Sequence, residues 1–215
     1  MKIGILGTGM VGQAIGTKLI QLGHQVKLGS RSADNEKANQ WTKANGSNAS
    51  QGTFADAAAF GQLLFNCTAG IGSLAALNLA GVDNLNGKIL IDIANPLDFS
   101  KGMPPSLTVC NTDSLGEQIQ RAFPNVKVVK TLNTVNCSIM VNPSLLKDDH
   151  DIFVSGNDPE AKQQVINILK NWFGWRSVVD LGDITTARGT EMVLPIWVRL
   201  WSVLQTPNFN FKIVR

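Results

Sequence analysis

The sequence predicts an α/β fold built on a doubly wound parallel sheet, with a short helical segment at its C-terminal end. Three observations carry that expectation. Short apolar runs alternate with helix-periodic stretches along most of the chain, a glycine-rich turn joins the first run to the first helix, and the alternation stops near residue 181. The expected division is therefore a sheet domain over 1–181 and a helical segment over 182–215.

Taken in order, Lys2–Leu6 (KIGIL) reads as a short buried strand. Gln13–Leu22 places Ala14, Ile15, Leu19 and Leu22 near helical spacing, and Gly23 stops it. His24–Leu28 is a second strand and Asp34–Ala44 a helix. Gln62–Thr68, Lys88–Ile93 and Lys127–Leu132 supply the third to fifth strands. Before the fifth, Ser114–Ala122 opens with Ser114-Leu-Gly-Glu117, a capping-box pattern in which each side chain satisfies the other's orphan amide. Asp151–Ser155 and Arg176–Leu181 are late strands flanking the helix Pro159–Trp172. Ile184–Leu204 reads as one long helix, apolar nearly all round and kinked at Pro195. Such a helix is expected to be buried against the sheet or a second subunit. Gly70–Gly87 and Asn95–Val109 are expected as long loops.

Composition narrows the function classes. The 215 residues are 44% hydrophobic and only 16% charged, against a usual ~25% charged. A net charge of +3, spread along the chain, gives no footprint for nucleic acid. No run of apolar residues is long enough to span a membrane, and MKIGILGTG does not read as a signal peptide, so the cytosol is the expected compartment. Cys67, Cys110 and Cys137 form neither a disulfide framework nor a CxxC pair, and the two His, 24 and 150, are far apart, so no metal site is expected. The chain has no Tyr, which excludes the Tyr-x-x-x-Lys chemistry of short-chain dehydrogenases.

The glycine-rich turn is Gly7-Thr8-Gly9-Met10-Val11-Gly12, a GxGxxG with a strand before it, a helix at its end and a second strand by residue 28. In a Rossmann-type unit Gly7 permits the tight turn, Gly9 lets the backbone approach a pyrophosphate, and Gly12 lets the helix pack closely on the strand. The helix N-terminus, with Met10 and Val11, then faces the negative charge. At the tip of the second strand an NAD-binding protein usually carries an acidic residue. This chain has Gly29-Ser30-Arg31-Ser32, and Asp34 and Glu36 fall later. The Arg31 fork with the Ser30 and Ser32 hydroxyls suits a 2′-phosphate and points to NADP, with Thr8 and Lys37 as further contacts.

Several stretches occur in the order of one family: KIGILGTGMVGQAIG, GSRS, DIANPLD, LGEQIQRAFPNVKVVKTLNTVNC and VVDLGDITTARGTEM. Across essentially the whole chain the sequence resembles the NADPH-dependent coenzyme F420 reductase family, whose relatives include the oxidoreductase domain of the STEAP metalloreductases. The resemblance implies a compact Rossmann domain, often dimeric, with NADP extended over the carboxyl ends of the strands. It further implies a deazaflavin or flavin (FMN or FAD) stacked on the nicotinamide. By position, Thr8, Ser30 and Arg31 match the 2′-phosphate contacts. Thr68, Ala69, Asn95 and Pro96 fall in loops that flank the cofactor, and Asn133, Thr134 and Cys137 in the stretch under the nicotinamide. The expected activity is hydride transfer between NADPH and a small-molecule redox acceptor in a homodimer. Hydride transfer between flat heterocycles needs stacking and water exclusion rather than a protein acid or base, and the sequence offers no such set. Two alternatives stay open: an NADP-dependent reductase of a small carbonyl or imine, and a non-catalytic NADP-sensing protein.

Other residues read as structural. His24 belongs to a turn, His150 to a solvated loop, and Cys67 and Cys110 to the core. Cys137 reads as a small packed residue near the nicotinamide. Trp172, Trp175, Trp197 and Trp201 read as core. Arg188, Glu191 and Arg199 share a helix face. Arg188–Glu191 is expected either as a pair closing a helix end or dimer seam, or as an active-site edge touching the acceptor or partner.

Overall fold

The computed structural model describes residues Met1–Arg215. In chain order it contains β1 (Lys2–Leu6), α1 (Met10–Gln21), β2 (Gln25–Ser30), α2 (Glu36–Asn45), β3 (Ala49–Thr53), α3 (Phe54–Phe60) and β4 (Leu63–Asn66). Then come α4 (Ser73–Ala80), α5 (Val82–Leu85), β5 (Ile89–Asp92), the small hairpin β6 (Leu97–Asp98) and β7 (Ser106–Leu107), α6 (Leu115–Ala122) and β8 (Lys127–Thr131). Last are α7 (Cys137–Val141), β9 (Asp151–Gly156), α8 (Pro159–Ile168), β10 (Ser177–Asp180), α9 (Ala187–Met192) and α10 (Leu194–Leu204).

The main sheet has eight strands in the order β10-β9-β8-β5-β4-β1-β2-β3. Side chains alternate between two cores, one on each face. Ile3, Ile5, Val26, Leu28 and Phe65 face α1 and α8 on one side; Leu6, Leu64, Leu90 and Val128 face α3, α4 and α6 on the other. The order reverses direction between β1 and β4, the switch point at which an open α/β sheet forms its crevice.

The expected doubly wound sheet is present and parallel over six strands, and its last two strands depart from that direction. β8 and β9 pair antiparallel, so β9 and β10 run against the other six strands. The cause is the connection. Between β8 and β9 the only α-helix is the five-residue α7, which is too short to carry the chain back across the sheet. β9 therefore enters at the end where β8 left.

Some elements escape the apolar pattern. β3 (ASQGT) is an edge strand with little apolar content, held by its pairing with β2. α3 follows it under a capping box, in which Thr53 and Asp56 satisfy each other's amides. The loop expected over Gly70–Gly87 contains α4 and α5, and the loop over Asn95–Val109 contains the β6–β7 hairpin. Ser114 does cap α6 through the Glu117 amide, but Glu117 turns its carboxylate to Arg188 and to the Ser114 hydroxyl, so the box is half formed.

The long helix expected over Ile184–Leu204 is broken. A short turn at Ile184–Thr186 leads into α9, and α10 begins anew at Leu194 with Pro195 in its first turn. Proline has no amide to donate and its ring clashes with a continuing helix behind it, whereas a first turn has no use for that amide. Nor is this helix buried on all sides. Leu194 and Val198 are covered, while Ile196, Trp201, Val203 and Leu204 are exposed. Three side-chain expectations change with it: Trp201 and Cys110 lie at the surface rather than in the core, and His150 is not a free loop residue. The His150 ring meets Pro143 O, the Asn210 amide and the edge of Trp175.

Candidate functional site

The carboxyl ends of the central strands open onto two hollows that share Cys67, Thr68 and Ala69, so that together they form one groove. The first, of about 370 Å³, lies between the glycine loop and the tip of β2. Gly7 has φ +121°, and a Cβ there would sit 2.5 Å from Cys67 O. A Cβ on Gly12 would sit 2.3 Å from Gly7 O, so α1 packs against the loop with no room to spare. Gly9 differs: a Cβ there would meet nothing within 4 Å. No protein atom requires that glycine, and the space above it is open to a ligand. The N-terminus of α1 has no side-chain cap, which leaves its amides to whatever enters the groove.

Gly7 N donates to Gly29 O at 2.9 Å, which binds the loop to β2 and brings Ser30–Ser32 to its side. Ser30 is buried and donates to Ser32 O at 2.5 Å, fixing the bend at the strand tip. Arg31 is exposed and makes no ion pair or hydrogen bond within the chain. Thr8, Ser30, Arg31 and Ser32 line this hollow together, and Lys37 does not. Asn35 and Phe54 also line it and were missed. Asn35 caps α2 through Ala38 N at 3.0 Å, a role that the run Asn35-Glu36-Lys37-Ala38 signals.

The second hollow, of about 690 Å³, is lined mostly by apolar side chains, and Met10, Ile71 and Phe99 line it while remaining exposed. Its loops are locked to one another. A Cβ on Gly70 would lie 2.0 Å from Asn95 O, so the Thr68–Ile71 and Asn95–Leu97 loops are in contact. Asn95 Nδ2 donates to Asn133 O at 2.8 Å and Asn133 Nδ2 to Asn95 Oδ1 at 3.0 Å. Val11, Asn133, Asn136 and Cys137 line the hollow; Thr134 and Pro96 do not. Thr134 is buried beside it with its hydroxyl unpaired.

Proton chemistry is scarce in this hollow. Burial pushes the Cys137 thiol up, and burial together with Asp92 pushes Cys67 well up, so neither is a thiolate at neutral pH. Asp98 accepts from the Ser100 amide and hydroxyl, which hold its carboxyl below the usual range and therefore ionised. No His lines the hollow. Leu194 and Trp197 of α10 form part of its wall, another contribution the sequence did not reveal. Trp197 stacks on Phe209 at 5.2 Å, with its indole nitrogen buried and unpartnered. The tail carrying Phe209 is tied down by Asp151, which accepts from Ile213 N at 2.6 Å and donates its amide to Phe211 O at 3.1 Å.

Beneath the groove lies a buried ionic cluster. Lys130, fully buried in β8, meets Asp92 of β5 at 2.9 Å and Glu191 of α9 at 2.8 Å. Burial opposes its charge, but the two carboxylates outweigh burial and hold its pKa above the usual lysine value. Arg188 pairs with Glu117 rather than with Glu191, and neither Arg188 nor Glu191 lines the hollows. The pairing expected within α9 is thus replaced by two bonds to other elements. The two partners, Glu117 for Arg188 and Lys130 for Glu191, come from distant parts of the sequence, which spacing along one helix cannot show.

A glycine loop at the first crossover, an open groove along the strand ends and a sheet reversed at that point define a Rossmann-type chain. Residues 2–96 match the family model described as NADP oxidoreductase, coenzyme F420-dependent. The chain is 55% identical to a candidate F420-dependent NADP reductase of known structure from Arthrobacter sp. FB24, with all of both chains covered and a TM-score of 0.95. It is 32% identical over 119 residues to the F420-dependent NADP reductase of Methanocaldococcus jannaschii, covering 55% of this chain and 52% of that one. It is also 27% identical over 202 residues to the metalloreductase STEAP3 of Rattus norvegicus, covering 91% of this chain and 38% of that one. The match thus spans about half of the archaeal relative and less of the rat one. The chain belongs to the coenzyme F420-dependent NADP oxidoreductase family.

Proposed function

We propose that this chain is an NADP(H)-dependent oxidoreductase, passing hydride between NADPH and a deazaflavin (coenzyme F420) or a flavin seated in the larger hollow. One observation carries the proposal: a mostly apolar hollow, lined by no His, Lys, Arg, Glu or Tyr, runs directly into a glycine-loop hollow whose strand tip bears a free arginine. The residues present fit the nucleotide. Gly9 leaves open space where a pyrophosphate approaches, the α1 amides are uncapped, and Arg31 has no competing partner in the chain.

When bound, the nicotinamide supplies or takes a hydride and the acceptor ring does the converse. The chain's own residues bind, orient and exclude water. Arg31 would hold the 2′-phosphate, with the Thr8 and Ser32 hydroxyls beside it, while Ser30, whose hydroxyl is given to Ser32 O, would shape the bend that presents them. The α1 amides face the pyrophosphate. Thr68, Ala69 and the Asn95–Asn133 pair form the floor at the nicotinamide end. Met10, Ile71, Phe99 and Trp197 would cover the acceptor, and the exposed apolar area of Met10, Ile71 and Phe99 supports a large flat ring system. A carbonyl or imine reductase needs a proton delivered to oxygen or nitrogen as hydride arrives, and no side chain in the hollow is set up to give one.

Residues 182–215 serve as the wall of the acceptor hollow rather than as a separate catalytic domain. The exposed apolar face of α10 supports a homodimer. No helix is long and apolar enough to cross a membrane, and the three cysteines are unpaired, in keeping with the cytosol.

Rapid anaerobic mixing of NADPH with F420, FMN, FAD and simple carbonyls or imines tests the proposal. Oxidation of NADPH by the deazaflavin or a flavin is expected. Oxidation only by a carbonyl or imine supports the small-substrate alternative, and tight binding without oxidation supports a sensor.

A further inference from the structure

The Lys130 cluster connects two parts of the groove that the sequence keeps far apart. On one side Lys130 Nζ donates to Ala94 O, and Asp92 Oδ1 accepts from Ala94 N at 3.3 Å and from Asn66 Nδ2 at 2.8 Å. Asn66 Oδ1 in turn accepts from the Thr68 hydroxyl at 2.7 Å. Thr68 and Ala94 both line the larger hollow, so the cluster sets the floor of the groove. On the other side Lys130 meets Glu191, whose carboxylate also accepts from Leu115 N at 2.8 Å and Gly116 N at 3.0 Å, at the start of α6. Glu191 stands a few residues before Leu194 and Trp197, which wall the same hollow.

We infer that Glu191 is a positioning residue: its carboxylate latches the Leu194–Trp197 wall to the groove floor through Lys130, and so sets the spacing between nicotinamide and acceptor. This rests on the proposed hydride transfer. The chemistry of the link is specific. Two carboxylate oxygens accept from three donors, and all three donors are buried. A glutamine of the same shape has a single acceptor oxygen, and its amide NH2 turns a donor towards donors. Charge is not the obstacle to such a variant. The cluster holds one ammonium and two carboxylates, so Glu191→Gln leaves a balanced Lys130–Asp92 pair and the protein can fold.

The experiment compares Glu191→Gln with Arg188→Gln, on the full chain. Arg188 sits on the same helix and ties it to the same α6 through Glu117, but no bond leads from it to the groove. Loss of packing between α6 and α9 alone affects both variants alike. The latch predicts a split. Glu191→Gln keeps the NADPH dissociation constant within about twofold, loses roughly tenfold or more in single-turnover hydride transfer, and shows an increased isotope effect with 4-deuterated NADPH. Arg188→Gln keeps its transfer rate within about twofold. Amide hydrogen exchange of the ligand-free protein gives a readout independent of activity. In Glu191→Gln, exchange should speed up in both 94–97 and 194–197; in Arg188→Gln, in neither. Equal transfer losses in the two variants, an unchanged rate in Glu191→Gln, or faster exchange in only one of the segments overturns the inference. If the wild type transfers hydride to no deazaflavin or flavin, the proposed function fails by itself, and the exchange pattern then decides for or against the latch.

Discussion

Removing the Arg31 guanidinium tests the choice of nucleotide at its source. In the free protein Arg31 is exposed and bonded to nothing, so Arg31→Ala leaves no buried partner stranded and changes stability by no more than ~0.5 kcal/mol. Its contribution is therefore confined to the bound nucleotide. A hydrogen bond to a charged group is worth ~1.5–3 kcal/mol, and the exposed position at the strand tip puts this one near the lower end, because solvent and salt screen it. About 1.5–2 kcal/mol corresponds to a roughly 10–30-fold weaker dissociation constant for NADPH. NADH has no 2′-phosphate and should bind Arg31→Ala within about twofold of the wild type. Titration of both nucleotides into both proteins, by nicotinamide fluorescence at two salt concentrations, measures the difference. The NADPH penalty should also shrink as salt rises. Equal losses for NADPH and NADH would refute the assignment of Arg31 to the 2′-phosphate.

Three further outcomes follow from the geometry. Gly9→Ala should leave thermal stability nearly unchanged yet weaken NADPH binding by roughly tenfold or more, whereas Gly12→Ala, whose new Cβ meets Gly7 O at 2.3 Å, should itself lose ~1–3 kcal/mol of stability in urea unfolding. Acid should destabilise the fold chiefly at low pH. The Arg121 hydrogen bonds hold Asp113 at about 2, and Arg188 holds Glu117 below its usual value. Carboxyls depressed in the folded state give stability that is complete above their unfolded values near ~4 and lost as pH falls through the folded ones, so the urea midpoint should drop most between about 4 and 2; burial lowers the His24 pKa in the fold, which adds a shallower fall as pH passes below the ordinary imidazole value of 6.5. Light scattering should give twice the 23.1 kDa chain mass, and Trp201→Lys with Leu204→Lys should halve it; a wild-type mass of one chain removes the dimer.

What could be read from the sequence was chemistry that stays local. The glycine loop is legible because two of its constraints are local: the positive φ of Gly7 belongs to the turn itself, and Gly12 packs on Gly7 O five residues before it. Arg31 is legible because it occupies the strand tip, a place fixed by the unit itself. Lys130 was not: in KVVKTL it looks like a polar position of a strand, and only the crossing of β5 and α9 shows that it is fully buried and doubly paired. Leu194 and Trp197 read as core because hydrophobicity cannot distinguish a wall facing a ligand from one facing the protein. β3 carried no apolar signal, since an edge strand is held by backbone pairing that composition does not record. The reversal of β9 depended on the brevity of α7, a property of the connection and not of either strand.

The most direct measurement of the central claim follows an isotope. NADPH deuterated at both hydrogens of C4 is mixed with the protein and oxidised F420 in ordinary water, and the reduced deazaflavin is analysed by mass spectrometry. Carbon 5 of that ring does not exchange its hydrogen with water. One deuterium retained there is the predicted result; NADPH left unoxidised, or oxidised with the label absent from the acceptor, contradicts the account.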